Sequence, residues 1–438
     1  MSRSLPIGEE ISPYSSDIHS SNIPECPIRR PFSLDILIWG KAIDKSWHIW
    51  CGEAEISRVV QKATGPSTLN GPRHCPTLCR DTTDPPLQPL PSLDVNDRMN
   101  LDAQLGEHNL HAVSAVAQRH ERMGFNALWT FETQHDPFMP LAFAATSTEK
   151  LKIGTNIVVA FARTPMATAM ASWDLQRTSG GRFMLGLGTQ VRAHIERRFG
   201  AQFDHPAARI SEYVQCMRAI WDNWQTGAKP DFEGEFYRFK LMNPFFNPGP
   251  IDHPRIPIYI AGVNPAILRT AGAVADGIHV HPFHSVRYLK EVARPAIDEG
   301  ARTQGKSVDD LELYSPIFAV TGHTPEETEG RERFVRQQIA MYASTPNYRV
   351  IMDLHGWLPV AEKLSKMVRT GDWDAIAGEI SDEMMSEFAV SASPERMPAI
   401  LRERYAGLLQ RVSLYYPVPP EDPEARWQSF VEAFHSAA

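Results

Sequence analysis

Cysteine is scarce in this 438-residue chain: there are five, of which Cys26, Cys51, Cys75 and Cys79 precede Met99 and only Cys216 follows it. That distribution excludes a disulfide framework for the main body of the protein. No apolar run reaches the roughly 18 uninterrupted residues that a membrane-crossing helix needs, and the N-terminus lacks the basic-then-apolar layout of a secretory signal. A soluble, cytoplasmic protein with no membrane partner is therefore expected. Dense runs of lysine or arginine are also missing, and 44 basic against 52 acidic residues give a net charge of −8. The electrostatic footprint of a nucleic-acid partner is thus absent. There is no GxxxxGK phosphate loop, and the glycines between Gly180 and Gly188 do not open a helix at the spacing of a dinucleotide fingerprint. What the chain does have is apolar material, 42% of its residues, enough to bury a large core.

The sequence divides unequally. Residues 1–98 are Ser- and Pro-rich with scattered large apolar residues, the composition of an extension that is largely disordered or not native to the domain that follows. Within it, His74, Cys75 and Cys79 match the spacing of no common zinc finger. Met99 opens the first convincing strand and is a candidate for the true start. Residues 99–438 alternate strand-like runs with amphipathic helices, the pattern of a parallel α/β architecture. Eight strands are expected: Met99–Leu105, Asn126–Phe131, Ile153–Ala160, Phe183–Leu187, Ile256–Ala261, Ile278–Val280, Leu311–Val320 and Val412–Tyr416. Thr164-Pro165, Asn264-Pro265, Thr324-Pro325, Ser393-Pro394 and Asp422-Pro423 each pair a capping oxygen with a proline that has no N–H to leave unsatisfied, so each marks a helix start. The stripe Trp427, Phe430, Val431, Phe434 would close the ring against the first unit. The fold class expected is therefore a (β/α)₈ TIM barrel. Insertions follow strands four (Pro230–Pro254, with a hairpin at Phe232–Tyr237) and seven (Thr345–Glu387).

Barrels of this kind place function at the C-terminal ends of their strands. Strand two ends in Glu132, Gln134, His135 and Asp136, which gathers a carboxylate, an amide and an imidazole at the rim for acid/base work or, equally, for organising a loop and capping the helix after Pro137. Strand three ends at Ala160-Phe161 and Arg163, where small residues and an aromatic suit a flat ring. Gly188 and Thr189 leave strand four where a ligand could approach the main chain, and a basic segment, Gln190–Gly200, follows. Gly262, Val263 and Asn264 feed a helix N-terminus, which favours an anion such as a cofactor phosphate. His279 and His281, two apart on strand six, point the same way.

Several segments in this order, MGFNALWTFETQHDP, SGGRFMLGLGTQ, HIERRFG, IPIYIAGVNP and VADGIHVHPF, resemble the luciferase-like monooxygenase superfamily, and most closely its deazaflavin (coenzyme F420)-dependent oxidoreductases. The resemblance covers Met99 to Phe434. It implies a cofactor over the C-terminal rim, with Glu132, Gln134 and His135 near ring and substrate as catalytic candidates, and Ala160-Phe161 as the family's non-proline cis peptide. Cofactor-binding candidates are Ala160, Phe161, Gly188, Thr189, Gly262, Val263, Asn264 and His281. Relatives often carry a histidine where this chain has Gln134, and here it falls one residue later. The activity implied is hydride transfer between the deazaflavin and a small organic substrate by a homodimeric enzyme. The alternative is monooxygenation with reduced FMN. Two further classes stand beside these: a zinc-dependent barrel hydrolase using His279 and His281 with His135 or Asp136, and a non-catalytic flavin-binding protein.

Overall fold

The computed structural model describes residues 99–373 and 375–436; the readings made for residues 1–98, including His74, Cys75 and Cys79, lie outside the described residues. Eight strands form the barrel: β1 (Asn100–Gln104), β2 (Ala127–Thr130), β3 (Lys152–Thr155), β4 (Phe183–Gly188), β5 (Ile258–Gly262), β6 (Gly277–Val280), β7 (Glu312–Val320) and β8 (Arg411–Leu414). Each pairs in parallel with the next, and β8 closes the ring on β1 with Asn100 opposite Arg411. Both faces of such strands are covered, which is why β4 reads Phe-Met-Leu-Gly-Leu-Gly without alternation and is buried throughout.

Around the ring run α1 (Leu110–Arg122), α2 (Phe138–Ser147), α3 (Pro165–Thr178), α4 (Pro206–Thr226), α5 (Pro265–Val274), α6 (Arg294–Arg302), α7 (Pro325–Ala343), α8 (Met397–Tyr405) and α9 (Glu424–Ser436). Thr164, Asn264 and Thr324 cap α3, α5 and α7, accepting from the N–H groups of Ala167, Ile267 and Glu327. Ser393 does not cap a helix. Its carbonyl closes a turn through Arg396 and Met397, and α8 starts only after that turn. On α9, Trp427, Val431 and Phe434 are buried, and Trp427 meets Phe125 beyond α1 at 6.2 Å, so the expected closing stripe is in place.

Two expectations need correction. Strand three is not continuous from Ile153 to Ala160: β3 stops at Thr155, the Asn156–Ile157 peptide is cis, and a two-residue strand, Val158–Val159, pairs separately with Leu187 and Gly188. The cis bond is therefore not at Ala160-Phe161. Those residues already belong to a 3₁₀ turn closed by the Arg163 N–H on the Ala160 carbonyl, 3.0 Å, a helical geometry built from trans peptides. The first insertion comes after β4 as expected, reached by way of α4. Its hairpin, Phe232–Glu233 with Arg238–Phe239, folds back on α4, where the Glu212 carboxylate receives the N–H groups of Glu235, Phe236 and Tyr237. The second insertion contributes the helices Arg349–Leu354, Leu358–Thr370 and Asp382–Phe388, then the strand Ala389–Ser391 beside the end of β7.

The barrel interior is solid. Trp129, Tyr259, His279 and Tyr314 fill it, with ring centroids 4.9–5.8 Å apart. Glycines make the room: a Cβ on Gly154, Gly186 or Gly277 would lie 2.4 Å from the Trp129 ring, 2.4 Å from His279 Nε2 and 2.3 Å from the Tyr259 ring. Toward the N-terminal ends of the strands, Arg411 grips Asp102 bidentately (2.7 and 2.8 Å) and reaches Glu312 at 3.2 Å, while Trp129 Nε1 donates to Asp102 at 2.8 Å. Burial alone would lower the Arg411 pKa, but Asp102 and Glu312 hold it above its ordinary value. This plug leaves the C-terminal rim as the open end.

Candidate functional site at the C-terminal rim

Glu132 stands just beyond β2 with its side chain 5% exposed. Its carboxylate accepts from the Val159 N–H at 2.7 Å and from Arg163 Nη1 at 2.7 and 2.8 Å, while its own N–H reaches the Ile157 carbonyl at 3.3 Å. It therefore ties the β2 loop to the interrupted third strand, and its oxygens are spoken for. Arg163 also holds Asp136 at 2.7 Å, and Asp136 Oδ1 receives the N–H groups of Phe138 and Met139, opening α2. Asp136 thus organises this loop and caps the start of α2.

Gln134 and His135 are exposed. The His135 ring lies over His108, centroids 4.7 Å apart, in a cleft of about 180 Å³ lined by Leu105, Glu107, Phe131, Asp136 and Met139 among others. His108 comes from the loop after β1. Partial burial, and after it the neighbouring His135, lower its pKa, so its imidazole is neutral near pH 7 and keeps a free lone pair. Sequence reasoning missed His108, although the rim rule applied to the end of strand one would have reached it. The cleft contains neither Gly188 nor Gly262.

Those glycines lie on the adjoining arc of the rim. Strand register sets Val159 opposite Gly188, Leu187 opposite Ile260, and Gly262 opposite Val280, so the ends of four elements come level. Ile157, also unforeseen, packs where a Gly188 Cβ would go, 2.7 Å from its Cδ1, and no local sequence signal marks it. Thr189 is half-buried, with its hydroxyl on the Gln190 carbonyl at 3.2 Å. Ala160 and Phe161 are buried instead of presenting a face to the rim: Phe161 packs on Phe203 at 5.9 Å, with the Arg209 guanidinium 5.0 Å over its ring. In the basic segment, Arg198 donates to the Thr133 carbonyl and so links it to the β2 loop.

Gly262 ends β5 and Asn264 caps α5, its Oδ1 taking the Ile267 N–H at 3.0 Å. The Tyr288 hydroxyl donates to the Val263 carbonyl. Because carbonyl and N–H point oppositely in a trans peptide, that bond turns the Asn264 N–H the other way. With Pro265 offering no N–H, the Ala266 N–H of the first turn also has no intrahelical partner. An anion at this corner would meet oriented donors and the positive end of the helix dipole.

His279 and His281 separate by depth. His279 is enclosed by the interior rings, and burial lowers its pKa to about 3. His281 lies past the strand end, with Nδ1 accepting from the Phe283 N–H (3.1 Å) and Nε2 on the Tyr348 hydroxyl (3.1 Å). With one ring enclosed and the other fully engaged, the pair does not make the zinc ligand set considered for a hydrolase. Among the described residues no group of three or more His, Cys, Asp or Glu side chains could hold a metal ion, and no helix is long and apolar enough to cross a membrane.

Comparison with known proteins places the chain in context. The family model for luciferase-like monooxygenases matches residues 93–411. An uncharacterised protein of Mycobacterium tuberculosis is 44% identical over 315 residues, covering 72% of this chain and 92% of that one. The 5,10-methylenetetrahydromethanopterin reductase of Archaeoglobus fulgidus is 25% identical over 308 residues, covering 69% and 88%. Among solved structures, the coenzyme F420-dependent tetrahydromethanopterin reductase of Methanopyrus kandleri superimposes with a TM-score of 0.64 at 20% identity, over 77% of this chain and 98% of that one. At that identity the likeness speaks for the fold.

Proposed function

The chain belongs to the luciferase-like monooxygenase family, and from that premise we propose that residues 99–438 form an oxidoreductase domain that transfers hydride between coenzyme F420 and a small organic substrate. The observation that carries the reading is the level arc of strand ends Val159, Gly188, Gly262 and Val280, with the start of α5 opening beside it. Just beyond the arc, Val263 is partly open to solvent and Asn264 exposed, and the Asn264 and Ala266 N–H groups there suit the phosphate of a flat-ring cofactor. The name of the Methanopyrus kandleri enzyme supports the choice of deazaflavin.

When bound, the deazaflavin supplies the hydride acceptor or donor. The protein's part is positioning and proton traffic. Gly262, Val263 and Asn264 would hold the phosphate, and Gly188 with Thr189 would border the ring. Glu132 is assigned a positioning role, because its oxygens already fix Val159 and Arg163. The proton falls to His135 and its neighbour His108, the pair that lines a cleft at the rim, with Gln134 beside them for substrate.

The test is to purify the full chain from a host that makes both cofactors, identify what copurifies, and titrate the stripped protein with each. Micromolar or tighter binding of coenzyme F420 is expected. Tight binding of FMN with none of the deazaflavin would overturn the reading in favour of the oxygen-using alternative.

A further inference from the structure

The wall of the rim above β6, β7 and β8 has no part in the reading so far. His281, Phe318, Tyr342, Tyr348 and Tyr415 build it, and Tyr348 comes from the second insertion, seated on His281 with ring centroids 4.5 Å apart. Tyr342 stands edge-on to His281, also at 4.5 Å, and shares a 2.7 Å hydrogen bond with Tyr415. All but Phe318 are partly open to solvent, and none of the five side chains is an acid or a strong base.

The protons in this wall can be assigned. A backbone N–H can only donate, so the bond from Phe283 requires a bare Nδ1 on His281. Burial lowers the pKa of this ring to about 3, so it is neutral near pH 7 and its single proton sits on Nε2. That proton is donated to Tyr348 Oη. The Tyr348 hydroxyl is thus an acceptor toward His281, and its own proton has no acceptor among the described residues. Burial also raises the Tyr348 pKa, which keeps that proton in place.

We propose that Tyr348 donates a hydrogen bond to the oxygen of an uncharged, largely apolar substrate, a ketone or alcohol, with His281 as the positioning residue that aims the hydroxyl. This rests on the oxidoreductase reading above and adds the substrate class to it. A carboxylate or phosphate would meet no cation in this wall and would be disfavoured by desolvation.

The test uses the full-length protein loaded with whichever ring cofactor it binds, and three probes of one shape: cyclohexanone, methylenecyclohexane and cyclohexanecarboxylate. Calorimetry gives the dissociation constants, and the infrared band of ¹³C-labelled cyclohexanone reads hydrogen bonding at its oxygen. In the wild type the ketone binds tightest and its carbonyl band moves to lower frequency. In Tyr348→Phe the band returns to its unbonded position and ketone binding weakens about three- to tenfold, the loss of one neutral hydrogen bond. Methylenecyclohexane binds the two proteins alike. His281→Phe, which keeps a ring but removes the donor, broadens the band. No ketone binding by the wild type, a band unmoved by Tyr348→Phe, or equal loss of ketone and hydrocarbon would overturn the role of Tyr348. Tightest binding of the carboxylate would overturn the substrate class, and an unaltered band in His281→Phe the part given to His281. Loading with FMN instead of coenzyme F420 would defeat the deazaflavin reading alone, since the band reports on Tyr348 with either ring present.

Discussion

Gly186 shows how one residue type can carry opposite meanings. In the sequence it belongs to a glycine-rich strand end that suits close approach of a ligand; in the fold its missing side chain is space used by the protein, because a Cβ there would lie 2.0 Å from the Thr155 carbonyl and 2.4 Å from His279 Nε2. Neither neighbour is the free end of a flexible chain. Gly186→Ala is expected to destabilise by about 3 kcal/mol or more, at or beyond the usual range for an overpacked core. Gly330, within α7, has a helical backbone and open space where a Cβ would point, with no neighbouring atom within 4 Å, so Gly330→Ala should stabilise by about 0.5–1 kcal/mol. Urea unfolding of the two variants decides the matter by sign, and a neutral Gly186→Ala would refute the packing account. Which neighbour a glycine makes room for depends on register across strands far apart in sequence, so it could not be read from the chain alone.

At the scale of elements, α5 separates a structural from a binding role for one residue. Asn264 caps the helix through Oδ1, and aspartate caps equally well, so Asn264→Asp should leave stability within about 0.5 kcal/mol. It also puts a negative charge where the proposed phosphate sits. Binding of coenzyme F420 should therefore weaken at least tenfold, and less so at high salt, where screening intervenes. Unchanged affinity would move the phosphate away from α5. The same helix illustrates what was legible: all eight barrel strands and the caps at Thr164, Asn264 and Thr324 follow from hydrophobic runs and polar-proline pairs, because those signals are local. Ser393 misled because the same pair can close a turn before a helix. The break after Thr155 escaped notice because Gly154, Thr155 and Asn156 sit between apolar residues that read as one strand, and the pairing of Val158 with β4 is a tertiary choice. Tyr348 reaches the rim from an insertion whose path no local pattern encodes, whereas His108 lies in the loop that directly follows β1.

For the molecule as a whole, the barrel interior is closed by charge at the N-terminal ends of its strands and filled with uncharged rings above. Removing one partner of the plug, as in Asp102→Asn, strips the buried Arg411 of its bidentate carboxylate and should cost about 3–5 kcal/mol by denaturant unfolding, far more than a surface pair. Histidines set the response to acid. Burial lowers the pKa of His120 and His284 to about 4, and of His279 and His281 to about 3, against 6.5 for a free imidazole. Because the folded values are the lower ones, the unfolded chain binds more protons throughout the interval from about 3 to 6.5. The stability these rings provide is thus fully present above pH 6.5 and is lost as the pH falls through that interval, each contributing a slope of about 1.4 kcal/mol per pH unit. At pH 5.5 an exposed imidazole is almost fully protonated while these four are not, so unfolding should take up about three or more protons. Calorimetry in buffers of different ionisation enthalpy measures that number directly. Uptake near zero would mean that the four rings are already charged in the folded protein, and with a charged His281 the proton on Tyr348 could no longer be assigned from its neighbour.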